Sequence, residues 1–543
     1  MKVMLSTTPM CRDNDALNGM ESARPSTGMV YLASMLGKQG KFGTLKVADA
    51  ILEEPNMNIR RFAESVAREK PDVFGFTAYE FNLKEARELR NLVKKISPET
   101  LVFVGGPTAT LAPEYVARVT GADAVFRGES DFALPKVIKE LDKGIPLRKI
   151  SAPGFVPVVN GKPVWNPGSD KMPVLTLAEY KLIEPDISLI AGITSKTGYR
   201  LMDFAFSRGC PYKVVCSFCQ FSTGVTNRWL GVDATIGILK QIAKIPGLIL
   251  MCFGDAAVGN GKEGAIKLMR EIEKEGMKFM FGYNGEWSLD MFLKQGKIGN
   301  REVDLEMINL MRSAHFGGEI GVESLTSGQL IKFNKMRHSF GETMRVLEAL
   351  KANSICHNFG IFLWGFDTKP EDTIENIGRA FKLANGLGGT NMYIVNSPTP
   401  YFNTGEYQKF MKALADKSEA GRQVKTTLEM LGRLEDTGDR KFPYHMETTL
   451  PLDTLMLKAY VKQVHMHLSG LEKFVDYPPK GLFNSKEDEL NLLSILISIK
   501  VEAEKDPARI ETARKAQTAL EEICKINGMA KMAGQIEYFA RYK

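Results

Sequence analysis

The sequence predicts an α/β protein with three parts: a doubly wound parallel sheet over residues 1–150, a partial (β/α) barrel over 201–410, and a helical region over 411–543. Two observations support this prediction. Short apolar runs alternate with amphipathic stretches through the first two parts, and this alternation requires crossover connections between parallel strands. After residue 411 the strand-like runs stop while helical periodicity continues. Residues 151–200 are rich in Pro, Gly and Asn and are the predicted linker.

Five strands alternate with helices in the first part. The predicted strands are KVMLST, LKVADA, DVFGFTAY, LVFVGG and ADAVFRG. The helix after the third strand is expected to use Asn82 as its N-cap, because asparagine is favoured at that position.

Parallel sheets bind ligands at the carboxyl ends of their strands. In the first part, these ends carry small or hydroxyl-bearing residues and one tyrosine: Ser6, Thr7, Thr77, Ala78, Tyr79, Gly105, Gly106 and Gly128. Glycine at a strand end lets a ligand approach the backbone, and it equally serves a tight turn. Both interpretations of these residues remain open at the level of sequence.

The linker contains one predicted hairpin, VPVVNGKPVW, turned at Asn160 and Gly161. Six strand-like runs follow it. They are MDFAFSRG, LILMCFGD, KFMFGYNG, GGEIGVES, HNFGIFLWG and NMYIVNSPTP. Six strands separated by helices favour a partial barrel over a flat sheet, and barrels keep their functional residues at the carboxyl ends of the strands.

Composition restricts the possible partners and compartments. The net charge is +7 over 543 residues, and no Lys/Arg run dominates any segment, so we expect no nucleic-acid partner. The first residues, MKVMLSTTPMC, lack the features of a signal peptide. The longest apolar run, LNLLSILISI at 490–499, is about half the length of a membrane span and predicts a buried helix face. The sequence therefore predicts a cytoplasmic protein without a membrane span, in which disulfides are disfavoured.

Three of the seven cysteines lie within one short stretch, SRGCPYKVVCSFC. Cys210, Cys216 and Cys219 follow the first strand of the predicted barrel, where barrels keep their chemistry. A structural zinc site usually has four ligands arranged as two close pairs, and only one close pair is present. Three thiolates instead suit a [4Fe-4S] cluster with one iron open to a small molecule, while zinc remains an alternative.

Several motifs together resemble one family over roughly residues 1–410. They are FVGGPTATLAPE, GADAVFRGES, SRGCPYKVVCSFC, GGEIGVES and IFLWGFDTKPEDTIENI. The chain resembles the radical S-adenosylmethionine (SAM) enzymes that carry an N-terminal cobalamin-binding domain. The resemblance implies a Rossmann-like cobalamin domain, a [4Fe-4S] cluster held by Cys210, Cys216 and Cys219, SAM on the open iron, cobalamin between the first sheet and the barrel, and an external electron donor.

Two features depart from the pattern of this family. The usual cysteine spacing is C-x3-C-x2-C, whereas PYKVV widens the first gap here to C-x5-C-x2-C. The Asp-x-His-x-x-Gly motif that supplies a histidine to cobalt in some members is absent, and the first histidine of the chain is His315. Cobalt is therefore expected to lack a histidine ligand, with the third-strand loop FTAYEF covering that face.

The resemblance implies further cofactor contacts. Near SAM and the cluster it implies Phe218, Gly282, Gly321, Glu323 and Ser324. The sequence also allows Glu323 and Ser324 only to cap the next helix, and Gly282 only to form a turn. Asp255 follows a barrel strand and is the one candidate for a catalytic role. His315 and His357 are interpreted as ordinary surface or packing residues.

The function implied by the resemblance is methylation of an unactivated carbon with a 5′-deoxyadenosyl radical and methylcobalamin. The alternative within the family is ring formation or rearrangement, for example anaerobic tetrapyrrole cyclisation. A non-catalytic sensor is the alternative from another class, and the complete cysteine loop argues against it. The substrate stays open among peptides or proteins, tetrapyrroles, lipids and natural-product precursors.

Overall fold

The structure is a computed structural model in which the chain divides into two compact units. The first comprises Met1–Pro211 and Gln220–Gly285, and the second comprises Tyr212–Cys219 and Glu286–Lys543. The described residues are 1–7, 27–39, 44–48, 59–79, 82–189, 201–219, 227–247, 250–279, 282–387, 391–395, 404–418, 422, 425, 434–436, 441–443, 455–459, 462, 486–527 and 529–542.

A seven-stranded sheet forms the first part of the first unit. Its strands are β1 (Lys2–Thr7), β2 (Thr44–Ala48), β3 (Val73–Thr77), β4 (Leu101–Gly105), β5 (Ala124–Phe126), β6 (Phe155–Val159) and β7 (Lys162–Pro163). Their spatial order is β2-β1-β3-β4-β5-β6-β7, and the strands from β2 to β5 are parallel. All five residues of β3 are buried, as in a central strand covered on both faces. The predicted doubly wound parallel sheet is confirmed.

Amphipathic helices alternate with these strands. They are α1 (Thr27–Gln39), α2 (Ile59–Glu69), α3 (Leu83–Ile96), α4 (Pro107–Leu111), α5 (Pro113–Thr120), α6 (Ala133–Asp142) and α7 (Leu177–Lys181). In α2, the buried residues Ile59, Phe62, Ala63, Val66 and Ala67 recur at helical spacing and form one apolar stripe. This stripe explains why the segment folds as a helix against the sheet.

The predicted hairpin of the linker is present and joins the first sheet. Strand β6 runs antiparallel to β5, and β7 runs antiparallel to β6. Asn160 and Gly161 both have positive φ, 53° and 72°, which matches the tight hairpin turn that the Asn-Gly pair predicts. Phe155 of β6 packs on Phe103 and Phe126, with ring centroids 6.1 and 5.0 Å apart, so burial of this ring attaches the hairpin to the core.

The first unit continues with the opening elements of the predicted barrel. These are β8 (Leu201–Phe204), β9 (Ser207–Arg208), β10 (Arg228–Trp229), α8 (Val232–Ile242), β11 (Leu250–Phe253), α9 (Lys262–Lys274) and the first three residues of β12 (Tyr283–Ser288). Strand β11 is parallel to β8 and to the start of β12, whereas β9 and β10 form a short antiparallel pair. Strand β12 begins later than the run KFMFGYNG predicts, because Gly282 turns the chain at φ 80° just before it.

The second unit repeats the alternation of parallel strands and helices. Its elements are α10 (Leu305–Ser313), β13 (Phe316–Glu323), α11 (Ser327–Lys332), α12 (Phe340–Ala352), β14 (His357–Phe362), α13 (Pro370–Leu387), β15 (Asn391–Val395) and α14 (Gly405–Ala415). Strand β14 pairs in parallel with β13 on one side and β15 on the other. Parallel strands joined by helices are what the sequence predicts for this part of a (β/α) barrel.

Helices dominate the end of the chain, as predicted. They are α15 (Lys486–Ala503), α16 (Ile510–Asn527) and α17 (Ala530–Tyr542). A small antiparallel hairpin of β16 (Leu434–Asp436) and β17 (Lys441–Pro443) is an exception that the sequence did not predict. The apolar run at 490–499 lies in α15, and its residues from Leu492 to Ile499 are buried. Within the described part of the chain, no helix combines the length and apolarity needed to cross a bilayer.

Candidate functional site

The carboxyl end of β3 turns into a tightly bonded loop. The amide of Ala78 donates to the carbonyl of Gly105 over 3.0 Å, which ties the loop to the end of β4. Asn82 precedes α3 but does not cap it with its side chain, contrary to our expectation. The side-chain oxygen of Asn82 instead accepts from the backbone amide of Tyr79 over 2.7 Å. The backbone amide of Asn82 donates to the Tyr79 carbonyl over 3.1 Å. Asn82 therefore holds Tyr79 in place.

Thr77, Ala78 and Tyr79 lie in sheltered positions at this strand end. Thr77 and Ala78 are buried. Burial, and secondly the Asp203 carboxylate, raise the pKa of the Tyr79 phenol above its ordinary value. Ser6, on the neighbouring strand β1, is fully buried. The structure thus brings together the polar residues that the sequence placed at the ends of β1 and β3.

The three glycines at the strand ends have different roles. A Cβ on Gly106, at φ 102°, would lie 2.8 Å from Thr77 Cγ2, and one on Gly128, at φ 70°, would lie 2.6 Å from the Pro173 carbonyl oxygen. These two positions need glycine because the chain itself turns and packs there. A Cβ on Gly105 would make only ordinary van der Waals contact with Phe126, 3.9 Å away, so packing does not require glycine at this position.

Two buried ion pairs attach the β9–β10 hairpin to the loop after β5. Arg208 donates from its two terminal nitrogens to Asp131 over 2.6 and 2.9 Å, and Arg228 donates in the same way to Glu129 over 2.5 and 2.7 Å. The two arginines are direct partners across the hairpin. Like charges placed opposite each other repel, so the two carboxylates stabilise this arrangement.

Arg208 is also enclosed by aromatic rings. Its guanidinium lies 5.2 Å from the ring centroid of Tyr31 and 4.9 Å from that of Tyr180, and both phenols donate to the carbonyl of Ala205. Burial alone would lower the pKa of Arg208, but Asp131, Glu129 and Tyr180 together outweigh burial and the pKa is raised. Arg208 is therefore a fixed cation two residues before Cys210.

Asp255 is a buried carboxyl group beyond the end of β11. It is 2% exposed, and neither carboxylate oxygen makes a well-aligned hydrogen bond to any described residue. Burial raises its pKa to about 7, although the nearby groups of Ser207 and the Phe206 amide favour the ionised form. A buried carboxylate without an aligned donor is costly unless a cation or donor reaches it. Asp255 is thus suited to the cationic group of a ligand.

The three cysteines of the loop have intermediate exposure and are not joined in disulfides. Cys210 lies one residue before the end of the first part of the first unit, while Cys216 and Cys219 belong to the second unit. The Cys219 amide donates to the Cys216 carbonyl over 3.1 Å, so these two cysteines share one turn. Between them, the Phe218 ring packs on Phe333 and Phe362, with centroids 5.4 and 5.1 Å away.

The widened part of the cysteine loop is anchored through Tyr212. Its hydroxyl is bonded to Asp290 over 3.1 Å, and the Arg337 guanidinium lies 3.5 Å from the centroid of its ring. Arg337 also donates to the Val214 carbonyl over 3.2 Å. Burial, followed by Asp290, raises the pKa of Tyr212. Sequence reasoning missed Tyr212 and Arg337. The extra residues PYKVV were the available signal, since a longer loop needs additional anchoring.

A buried ion pair lies at the end of β13. Lys335, 9% exposed, donates to Glu323 over 2.5 Å, and Glu323 has a positive φ of 61°. A Cβ on Gly321 would lie 2.7 Å from the Lys335 ammonium nitrogen, so this position has no room for a side chain. Sequence reasoning identified Gly321 and Glu323 but missed Lys335, which lies 12 residues further along the chain.

Other predicted residues have contacts of a structural kind. Ser324 is fully buried, accepts from the Thr326 amide over 3.2 Å, and donates to Gln329 over 3.1 Å. The N-cap of α11 is Thr326, and its side chain makes no capping bond, so the capping interpretation of Ser324 is wrong. Gly282 closes a turn, because its backbone amide donates a hydrogen bond to the Phe279 carbonyl over 3.0 Å. His315 is exposed, and the buried His357 ring lies 2.8 Å from the Ile355 carbonyl.

The donor set fits an iron–sulfur cluster in kind. Three cysteines that are not in disulfides occur within one loop, and one of them, Cys216, lies in the field of the Lys335 cation. Among the residues that the structure describes, no three His, Cys, Asp or Glu side chains converge as ligands of one metal ion. Convergence of three side chains on one point is what a single ion such as zinc requires. In a cluster each thiolate binds a different iron atom.

The chain is similar to several known proteins. Residues 21–138 match the model of the B12 binding domain. An uncharacterized methyltransferase of Pyrococcus horikoshii, PH0819, is 24% identical over 417 residues, which are 75% of this chain and 83% of the relative. The anaerobic magnesium-protoporphyrin IX monomethyl ester cyclase of Rubrivivax gelatinosus is 21% identical over 66% of this chain, and the match spans 62% of the cyclase.

Solved structures give the fold. The cobalamin-dependent S-adenosylmethionine radical enzyme OxsB with aqua-cobalamin bound matches 99% of this chain and 83% of its own, with TM-score 0.60 and 14% identity. The radical S-adenosylmethionine methyltransferase TsrM of Kitasatospora setae, with cobalamin and a [4Fe-4S] cluster bound, matches 96% of this chain and 99% of its own, with TM-score 0.60 and 15% identity. The fold predicted from the resemblance is confirmed.

Proposed function

We propose that this chain, which has the fold of the cobalamin-dependent radical SAM enzymes, is itself such an enzyme and methylates an unactivated carbon atom. One observation carries the proposal. A loop with three cysteines that are not in disulfides follows the first barrel strand of a chain whose residues 21–138 match a B12 binding domain. That combination supplies ligands for a cluster and a site for cobalamin, which neither a zinc protein nor a simple sensor needs together.

The cluster is assigned to Cys210, Cys216 and Cys219, and the SAM ammonium group to Asp255. The support for Asp255 is its burial beyond a strand end with no well-aligned donor among the described residues. A bound cation would favour the ionised carboxylate and lower the pKa of Asp255 from about 7. When bound, the cluster and SAM supply a carbon-centred radical, and cobalamin carries the methyl group.

The remaining residues orient ligands and exclude water. Phe218 and its partners Phe333 and Phe362 form an apolar wall behind Cys216 and Cys219. In the first unit, Asn82 fixes Tyr79, which we assign to the lower face of cobalt. The first histidine of the chain is His315, far beyond the B12 binding segment, so a protein imidazole on cobalt is not expected.

Methylation is preferred to cyclisation because the relative named as a methyltransferase aligns over more of this chain than the relative named as a cyclase, 75% against 66%. Cyclisation is the second candidate, and that cyclase relative is the observation in its favour. The two reactions consume SAM differently. Methyl transfer uses SAM both as the radical source and as the methyl donor, whereas ring formation needs only the first.

The deciding experiment uses SAM labelled in its methyl group and the anaerobically reconstituted full chain. Candidate substrates from each class are added, and both nucleoside products are quantified. Methylation predicts equal amounts of 5′-deoxyadenosine and S-adenosylhomocysteine, with label in the product. Formation of 5′-deoxyadenosine and a product without label would reject methylation and favour cyclisation.

A further inference from the structure

Three segments of the second unit meet at the buried cation Lys335: its own segment, strand β13 and the cysteine loop. Its ammonium is paired with Glu323 at the end of β13. The missing side chain of Gly321 leaves the space that this ammonium occupies. Burying a lysine is unfavourable unless nearby negative groups compensate for the lost hydration. The position of Lys335 is therefore set by the groups around it.

The third of these segments is the cysteine loop. The amide of Ser217 donates to the carbonyl of Phe333 over 3.0 Å, two residues before Lys335. Phe218 packs on the ring of Phe333, so two successive loop residues contact the chain next to this lysine. The sulfur of Cys216 is, after Glu323, the second negative group whose field acts on the Lys335 ammonium. Glu323 and Cys216 are thus the negative neighbours of Lys335, and the Arg337 guanidinium is a second cation that acts on it with a smaller effect.

We propose that Lys335 is a positioning residue that raises the reduction potential of the iron–sulfur cluster, and that Glu323 holds its ammonium beside Cys216. The inference rests on the proposed function, since it requires the cluster. Reduction adds one negative charge to a cluster that already carries three thiolates, and net charge and local surroundings set such potentials. A fixed cation nearby stabilises the reduced form more than the oxidised form.

A purely structural ion pair gives a different expectation. Removing either partner of a buried pair destabilises the fold, because the other charge is left uncompensated. Substitution of Lys335 and substitution of Glu323 would then both lower the stability of the fold. Neither substitution would shift the reduction potential of the cluster according to the sign of the charge removed. An electrostatic role predicts opposite shifts, since Lys335 and Glu323 carry opposite charges.

The experiment is a redox titration of the anaerobically reconstituted full chain, followed by the electron paramagnetic resonance signal of the reduced cluster. Lys335→Met should lower the equilibrium constant for one-electron reduction about tenfold, which is about 59 mV. Glu323→Gln should raise it, and Lys335→Arg should stay close to wild type. The control is Lys332→Met, which removes the same charge at the end of α11. Lys332 donates to the backbone carbonyl of Asp367 and not to Glu323.

Two further measurements keep the outcomes separate. Iron and sulfide content of the wild type tests the proposed function first, and a wild type without a cluster overturns both claims. Thermal unfolding of each metal-free variant reports on folding alone. If Lys335→Met does not fold, Glu323→Gln decides the sign because it keeps the lysine. Full clusters with unchanged potentials, or with both potentials shifted in the same direction, would overturn the role of Lys335.

Discussion

Arg208 and Asp131 form a two-point ion pair, 2.6 and 2.9 Å long, between residues 77 positions apart in the chain. Asp131 lies in the loop after β5 of the first sheet, and Arg208 lies two residues before Cys210. The pair therefore fixes the start of the cysteine loop to the part of the first unit that matches the B12 binding domain. The parallel pair of Arg228 with Glu129 fixes the other side of the same hairpin.

Breaking this pair should destabilise the metal-free protein. Asp131→Asn leaves the Arg208 guanidinium with only the more distant Glu129 carboxylate, 4.0 Å away, and loss of one partner of a buried pair costs at most about 3–5 kcal/mol. Urea unfolding followed by circular dichroism measures the effect. The matched control is Lys38→Ala, which breaks the exposed pair with Glu184 and should leave the unfolding midpoint unchanged. Equal effects of the two substitutions would contradict a stabilising role for the buried pair.

The three loop cysteines should be required for iron. Replacing Cys210, Cys216 and Cys219 together by Ala should abolish iron content and the visible charge-transfer absorption, because thiolates are the ligands. Iron and sulfide are measured after anaerobic reconstitution. Cys356→Ala is the control, since Cys356 is an exposed free thiol outside the loop. A triple variant that kept about four irons per chain would show that the ligands lie elsewhere.

Asp255 should make the stability of the ligand-free protein depend on pH. Its pKa of about 7 in the folded state exceeds the ordinary value of 3.8, so the folded state binds the proton more tightly than the unfolded state. The associated stability is fully present below about pH 4 and is lost as the pH rises to about 7. Asp255→Asn should then gain up to about 4 kcal/mol over wild type at pH 8, and this gain should shrink as the pH falls.

The measurement for Asp255 is urea unfolding at several pH values. Asp233→Asn, on the exposed start of α8, is the control and should follow the wild-type curve. Binding of SAM to the reconstituted protein should weaken in Asp255→Asn, because the carboxylate that accepts the ammonium group is gone. If the free energy of unfolding changed with pH in the same way for Asp255→Asn and wild type, the raised pKa of Asp255 would be refuted.

Tyr212 should hold the widened cysteine loop. Tyr212→Ala removes the hydrogen bond to Asp290 and the stacking of Arg337, which together are worth about 1–2 kcal/mol. The exposed Lys213 then offers a direct readout, because tryptic cleavage after it should become about tenfold faster in the metal-free chain. Tyr538→Ala, at an exposed tyrosine of α17, is the control. Unchanged cleavage after Lys213 would mean that Tyr212 does not anchor the loop.

Local patterns were sufficient to predict the strands, because burial on both faces leaves continuous apolar runs such as VFGFT in β3. The Asn-Gly turn and the cysteine loop were also visible locally. Contacts over long separations were not, since no local period places Asp131 beside Arg208 or Lys335 beside Glu323. Asn82 is the N-cap residue of α3, as predicted, but its side chain makes no capping bond because the Tyr79 amide competes for it.

The central claim is that this chain generates a radical from SAM at a cluster held by its cysteine loop. The most direct test incubates the reconstituted protein with SAM and a low-potential reductant under anaerobic conditions and quantifies 5′-deoxyadenosine by mass spectrometry. The account predicts 5′-deoxyadenosine from the wild type and none from the variant lacking Cys210, Cys216 and Cys219. A wild type with a full cluster and bound SAM that released no 5′-deoxyadenosine would contradict it.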